Sequence, residues 1–373
     1  MNNRTAKPSA KGVVKLGEPL TLYRGGVLHE AEIAWESWGE LRGDNLILLF
    51  TGLSPSAHAA SSAADSAPGW WEGMIGPGKA IDTSRWCVLC INSLGSCFGS
   101  TGPASIDPAS GKHYRLNFPA LSIEDVARAA HTALDVLGLP APRIVCGPSL
   151  GGMSALAFAL EFPESAPNLI LISSALHAWP FAIAIRSMQR EAIRSDPAWA
   201  GGHYPIAHDP VAGMRLARKI GMLTYRSPDE WRERFGRERV QRDTPRATAS
   251  FDIEFEVESY LEAHADRFVG SFDANCYLYL SHAMDLFDTA EHGGGDIGAA
   301  LTSLQTESAL VIGVESDFLF PCAQQRELGA ALAAADVATT TTILPSPQGH
   351  DSFLVDTERF GAAIAGFLDQ VGP

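Results

Sequence analysis

The chain has 373 residues, 46% of them hydrophobic, and a formal net charge of −15 at pH 7. This is enough for a large buried core, and no run of 18 or more apolar residues is present to span a membrane. The acidic balance, with no clustered basic stripe, argues against a nucleic-acid surface.

In chain order, Met1-Asn2-Asn3-Arg4-Thr5-Ala6-Lys7-Pro8 is polar and lacks an apolar h-region, so no secretory signal is expected and the compartment reads as cytoplasm. Glu32 to Trp38 alternates as a half-buried strand does, and Asn45-Leu46-Ile47-Leu48-Leu49-Phe50 is a continuous apolar run of the buried-strand type. Arg85 to Asn92 reads as another buried strand. It contains Cys87-Val88-Leu89-Cys90, whose spacing suggests a metal or redox pair, but positions i and i+3 of a strand face opposite sides, so both sulfurs are expected to be structural. Together with Cys97, Cys146, Cys276 and Cys322, these are scattered through a chain too long to need disulfide staples.

Ser122 caps a helix, with Asp125 three residues on and Val126, Ala129, Ala133 and Val136 at helical spacing. Strands follow at 144–147, 169–174, 309–314 and 340–344, and Thr357 to Phe367 reads as a closing amphipathic helix. Strands alternating with helices predict an α/β fold with a mostly parallel sheet covered on both faces. Residues 177–300 break that alternation and read as several helices. They are expected to form an inserted lid on a core made of residues 20–176 and 301–373.

The segment Ile144 to Met153 carries the chemistry. An apolar run ends in Gly147-Pro148-Ser149-Leu150-Gly151, and a helical apolar pattern starts at once. A sharp strand-to-helix turn of this kind lifts a serine hydroxyl above the sheet edge, with glycines where backbone must pass closely. On the motif alone, an ordinary glycine-rich turn is equally open. The N–H of Leu150, at the new helix N-terminus, would face a developing oxyanion, and a second donor is expected at Leu53 in the loop after the first core strand. Pro148 has no N–H to offer.

A serine nucleophile needs a base and an orienting acid later in the chain, each on a loop just past a core strand. Glu315-Ser316-Asp317 follows strand 309–314, and Pro345-Ser346-Pro347-Gln348-Gly349-His350-Asp351 follows strand 340–344. Asp317 and His350 therefore complete the expected set, and imidazole is suited to accept and return the serine proton near neutral pH. Glu315 competes with Asp317, which is preferred because it lies further beyond the strand.

Several strings resemble the homoserine O-acetyltransferase family of α/β-hydrolase-fold acyltransferases, and within it the serine O-succinyltransferase branch. They are Thr51-Gly52-Leu53-Ser54-Pro55, Pro68-Gly69-Trp70-Trp71-Glu72-Gly73-Met74, Asn92 through Pro103, Phe255 through Leu261, and Ser346 through Asp351. The resemblance spans about residues 20 to 370. It implies an α/β-hydrolase fold and a ping-pong transfer from acyl-CoA through acyl-Ser149 to an amino-acid hydroxyl, with no cofactor and no metal.

The resemblance further implies Arg218 and Asp351 as partners of the acceptor's carboxylate and ammonium, and Gly52-Leu53-Ser54-Pro55 as the loop that sets acceptor size. It implies Arg186 as the reader of the distal carboxylate of succinyl-CoA, because a guanidinium meets a carboxylate in bidentate fashion. Without the resemblance, Arg186 is one of several lid arginines, and Arg218, beside Arg215 and Lys219, is a solvated helix face. The expected partners are succinyl-CoA or acetyl-CoA, L-serine or L-homoserine, and a second copy of the chain in a homodimer. The alternatives are a homoserine O-acetyl- or O-succinyltransferase and an ester hydrolase with the same triad.

Overall fold

The structure, a computed structural model, describes residues 9–205, 208–241 and 252–373. The polar stretch Met1–Pro8, on which the absence of a secretory signal was read, lies outside the described residues. Among the described residues, eight strands form the main sheet: β1 Ser9–Lys15, β2 Glu32–Trp38, β3 Leu46–Phe50, β4 Cys87–Ile91, β5 Ile144–Pro148, β6 Asn168–Ile172, β7 Ser308–Val314 and β8 Ala338–Leu344. Their order across the sheet is β1-β2-β4-β3-β5-β6-β7-β8. β1 pairs antiparallel with β2, and β2 antiparallel with β4. From β4 to β8 the pairing is parallel.

β1 precedes residue 20, where the sequence reading began the core. Its pattern, Ser-Ala-Lys-Gly-Val-Val-Lys, is weakly alternating because it is an edge strand with only Val14 buried. Lysines on such an edge discourage pairing with another chain.

The central strands are buried on both faces. Leu46, Leu48 and Phe50 of β3 join one core, while Ile47 and Leu49 join the other, as the period of two requires. The same alternation sends Cys87 to one core and Cys90 to the other, so the two sulfurs diverge across the sheet. α1 (Ile123–Leu137) starts at Ser122 in a capping box with Asp125, and Gly138, in the left-handed region at φ 67°, ends it. α2 (Leu150–Glu161) has every residue from Leu150 to Leu160 buried, which suits a helix at the centre of the molecule.

Between β6 and β7 lie α3 (Pro180–Ser195), α4 (Val211–Tyr225), α5 (Pro228–Phe235), α6 (Glu256–Phe268) and α7 (Ala274–Leu286). After β7 comes α8 (Cys322–Ala334), and after β8 comes α9 (Thr357–Val371). Buried apolar residues of α1, α2 and α8, with Ala182 and Ile193 of α3, Met214 and Ala217 of α4 and those of α7, belong to the first core, whereas Phe360, Ile364, Phe367 and Leu368 of α9 belong to the second. α3, α4 and α7 meet Leu53, Ser149 and Leu319, on the segments that follow β3, β5 and β7, and α6 packs on α4. Among the described residues, no helix is long and apolar enough to cross a membrane.

Candidate active site

Ser149 sits between β5 and α2 at φ 56° and ψ −120°, a left-handed backbone that a side chain adopts only under strain. Its N–H donates to Ile172 O at 2.8 Å, and its own carbonyl accepts from the Ser174 hydroxyl at 3.1 Å. The flanking glycines are demanded by space. A Cβ on Gly147 would meet the Gly151 carbonyl at 2.2 Å, and one on Gly151 would meet Phe50 O at 2.5 Å. β3, β5 and α2 therefore close on one another at backbone distance, and the serine is pushed out of the turn.

The loops after β7 and β8 bring the other two residues to it. The Ser149 hydroxyl and His350 Nε2 are 2.9 Å apart, and His350 Nδ1 and Asp317 Oδ2 are 2.7 Å apart. A carboxylate oxygen accepts, so Nδ1 carries the proton and Nε2 is left to accept from the serine. Asp317 Oδ1 accepts from the N–H groups of Leu319 and Phe320, both at 2.9 Å, which anchors the carboxylate while Oδ2 serves the ring. Both side chains are buried, and Phe320 stacks on the imidazole with centroids 5.0 Å apart. The arrangement selects Asp317 over Glu315. Gly349, at φ 67°, lets the loop pass the α4–α5 junction, where a Cβ would lie 2.8 Å from the Arg226 carbonyl carbon.

Leu150 opens α2, so its N–H has no carbonyl four residues earlier and faces outward at the positive end of the helix. Leu53 follows β3 and lines the same narrow cavity as Ser149, of about 30 Å³, together with Ile185, Arg186, Gln189 and Tyr225. Of Gly52, Leu53, Ser54 and Pro55, only Leu53 reaches that cavity. A Cβ on Gly52 would meet Pro55 Cδ at 3.7 Å and the Pro148 carbonyl oxygen at 4.0 Å, ordinary contact distances.

Arg186 is almost fully buried. Its Nε donates to Asp285 Oδ1 at 2.5 Å, and its Nη2 has no hydrogen-bond partner. Arg218 does not line the cavity. Its guanidinium lies 4.6 Å from the Phe268 ring centroid and 5.8 Å from that of Tyr225, which itself forms part of the wall, and its Nε is buried without a partner. Arg215 and Lys219, its neighbours on α4, turn away to Glu262 on α6. Asp351 pairs with Arg226 Nε at 3.2 Å. Burial pushes the Asp351 carboxyl up, and the guanidinium charges of Arg226 and Arg218 oppose that rise.

Sequence reasoning missed Arg226 and Asp285. Arg226 ends α4 without a motif around it, and Asp285 lies on α7, 99 residues from the arginine it binds, so neither carries a local signal. Gln189 and Tyr277, also on the wall, were missed for the same reason.

Residues 45–357 match the family model for the alpha/beta hydrolase fold. The serine O-succinyltransferase of Litchfieldella anticariensis is 57% identical over 97% of this chain and 99% of its own length, and that of Stenotrophomonas maltophilia is 55% identical over 95% and 96%. Among solved structures, the homoserine O-acetyltransferase from Bacillus anthracis superposes with a TM-score of 0.86 at 27% identity, covering 97% of each chain. Esterase E22 gives the same TM-score at 28% identity, covering 96% of this chain and all of its own. The fold is thus common to transferring and hydrolysing neighbours, and near-full-length identity above one half is what narrows the assignment. On that identity, with a serine, histidine and aspartate in hydrogen-bonded series at the ends of β5, β8 and β7, the chain belongs to the homoserine O-acetyltransferase family of the α/β-hydrolase fold, on its serine O-succinyltransferase branch.

Proposed function

We propose that this O-acyltransferase moves a succinyl group from succinyl-CoA to the hydroxyl of L-serine, through an ester on Ser149. The observation that carries the donor is Arg186: a buried guanidinium with an unpartnered Nη2 lines the same cavity as the Ser149 hydroxyl. A carboxylate at the far end of the acyl chain satisfies it, whereas an acetyl group leaves it unpaired. The relatives named serine O-succinyltransferase support both donor and acceptor.

In the first half-reaction, His350 Nε2 takes the Ser149 proton as Oγ attacks the thioester carbonyl. The tetrahedral oxyanion faces the N–H groups of Leu150 and Leu53, and the CoA sulfur leaves with the proton returned by the imidazolium. In the second, His350 deprotonates the acceptor hydroxyl, which attacks the acyl-Ser149 ester, and Ser149 recovers its hydrogen. Asp317 holds the tautomer and stabilises the imidazolium in both. The lid formed by α3 to α7 keeps the ester from water, so an amino-acid hydroxyl competes successfully for it. Arg218 and Asp351 receive the acceptor's carboxylate and ammonium. Arg226 and Asp351 are already paired, so acceptor binding includes a shift of that pair.

A cytoplasmic homodimer completes this reading. Phe181 and Met188 on α3 and Val211, Leu216 and Leu223 on α4 are exposed apolar side chains gathered on two packed helices. Sedimentation equilibrium is expected to return twice the chain mass, and a monomer at micromolar concentration counts against this assembly.

Three measurements test the chemistry. Ser149→Ala is expected to lose acyl transfer by about 10⁴-fold or more and to show no acyl adduct by mass spectrometry after incubation with succinyl-CoA. Turnover close to that of the parent refutes the triad, and release of free succinate at the same rate with and without L-serine makes the enzyme a hydrolase. Arg186→Leu is expected to reduce or reverse the preference for succinyl-CoA over acetyl-CoA in kcat/KM, and an unchanged ratio removes Arg186 as the reader of the donor. In Arg218→Ala, the use of L-serine is expected to fall far more than acylation of Ser149 by acyl-CoA alone, followed by single-turnover CoA release. Equal losses in the two half-reactions assign Arg218 to the scaffold or the donor side.

A further inference from the structure

Arg186 and Arg190 are four residues apart on α3 and share one face of the helix. Asp285, on α7, lies between them: Oδ1 takes Arg186 Nε at 2.5 Å and Oδ2 faces Arg190 Nη2 at 2.6 Å. The three side chains are only 5%, 6% and 16% exposed for Arg186, Asp285 and Arg190. Two guanidiniums thus share one carboxylate in a place with little water, and the group keeps one net positive charge. A buried excess charge is costly unless another group compensates it. In addition, Arg186 Nη2 and Arg190 Nη1 are both buried with no hydrogen-bond partner.

The two arginines face different spaces. Arg186 lines the cavity of Ser149, while Arg190 lines a separate cavity of about 900 Å³ beside Arg194 and His282. Arg190 is therefore not in position to touch the acyl group, yet it alters what Arg186 can offer. An isolated Arg186–Asp285 pair would be neutral and would have little electrostatic reason to prefer an anionic acyl chain. With Arg190 on the other oxygen of Asp285, the positive charge is restored. With Asp285 on Nε, the orientation of the Arg186 guanidinium is restrained and its Nη2 stays unpartnered.

We propose that Asp285 and Arg190 are positioning residues that set donor specificity through Arg186, Asp285 by fixing the orientation of its guanidinium and Arg190 by keeping the shared ion group net positive. The ligand chemistry is that of a CoA thioester whose acyl chain ends in a carboxylate. This inference rests on the reading that Arg186 recognises the distal carboxylate of the donor.

The test is kcat/KM for succinyl-CoA and acetyl-CoA with the full-length enzyme as parent, Asp285→Asn, Arg190→Met, Arg186→Leu and the double variant Asp285→Asn/Arg186→Leu. The succinyl-to-acetyl ratio is expected to fall at least about tenfold in Asp285→Asn and in Arg190→Met, with the loss carried by the KM for succinyl-CoA. In the Arg186→Leu background, Asp285→Asn is expected to lower the ratio little further, because the residue through which it acts is gone. The inference is overturned if the ratio survives in Asp285→Asn and Arg190→Met, or if both donors lose activity by the same factor, as a purely structural role would give. It is also overturned if Asp285→Asn lowers the ratio as much without Arg186 as with it. Should Asp285→Asn fail to fold, Arg190→Met alone decides between an unchanged and a lowered ratio. A ratio that collapses in Arg186→Leu but not in the other two leaves the donor reading standing and refutes this inference alone, whereas an unchanged ratio in Arg186→Leu refutes both.

Discussion

Everything at the site depends on one left-handed residue held between a strand and a helix. Ser149 takes φ 56° without being glycine, a conformation that costs on the order of 1–3 kcal/mol and persists only where its surroundings over-determine it. Here they do. β3, β5 and α2 approach so closely at Gly147 and Gly151 that no Cβ would fit, and the backbone of β6 holds the Ser149 N–H. The strain is therefore carried by a deeply buried part of the molecule, and its product is a part-buried hydroxyl that lines the cavity, with the start of a helix directly behind it.

From that point the loops at the carboxyl ends of β7 and β8 have one task, to deliver a base and its orienting carboxylate to a fixed oxygen. They are stiffened for it. Asp317 is held by two backbone N–H groups, and the imidazole is held between Phe320 and Phe353. These aromatic contacts restrain the imidazole, so the hydrogen bonds from Ser149 to His350 Nε2 and from His350 Nδ1 to Asp317 need no rearrangement before reaction. The same scaffold serves both esterases and acyltransferases, and over it this chain places several helices that reach the site.

Those helices bring charge as well as cover. α3 contributes Arg186 and Arg190, α4 contributes Arg218 and leads into Arg226, and the counter-charges Asp285 and Asp351 come from α7 and from the loop of the catalytic histidine. The cavity they leave, about 30 Å³, has room for little more than a water or two by the usual measure of roughly 10–15 Å³ for one.

The sequence by itself determined what depends on local pattern. The strand–Gly-x-Ser-x-Gly–helix turn, the capping box at Ser122 and the opposed burial of Cys87 and Cys90 follow from periodicities and spacings within a few residues, and the order serine, acid, histidine follows from the core strand that each one's loop succeeds. Tertiary structure decided the rest. Whether Glu315 or Asp317 faces His350 depends on how the loop after β7 curls, which the strand pattern does not encode. The edge strand Ser9–Lys15 is ordered by its partner Glu32–Trp38 rather than by its own weak alternation. Among the arginines between β6 and β7, sequence could not separate Arg186, on the wall of the Ser149 cavity, from Arg190, which lies on the same face of α3 but lines a separate cavity, because which cavity each reaches is settled only once α7 has packed against α3. Asp285 and Arg226 acquire their partners only when those helices meet, since an ion pair is a property of two surfaces and one chain segment records only its own.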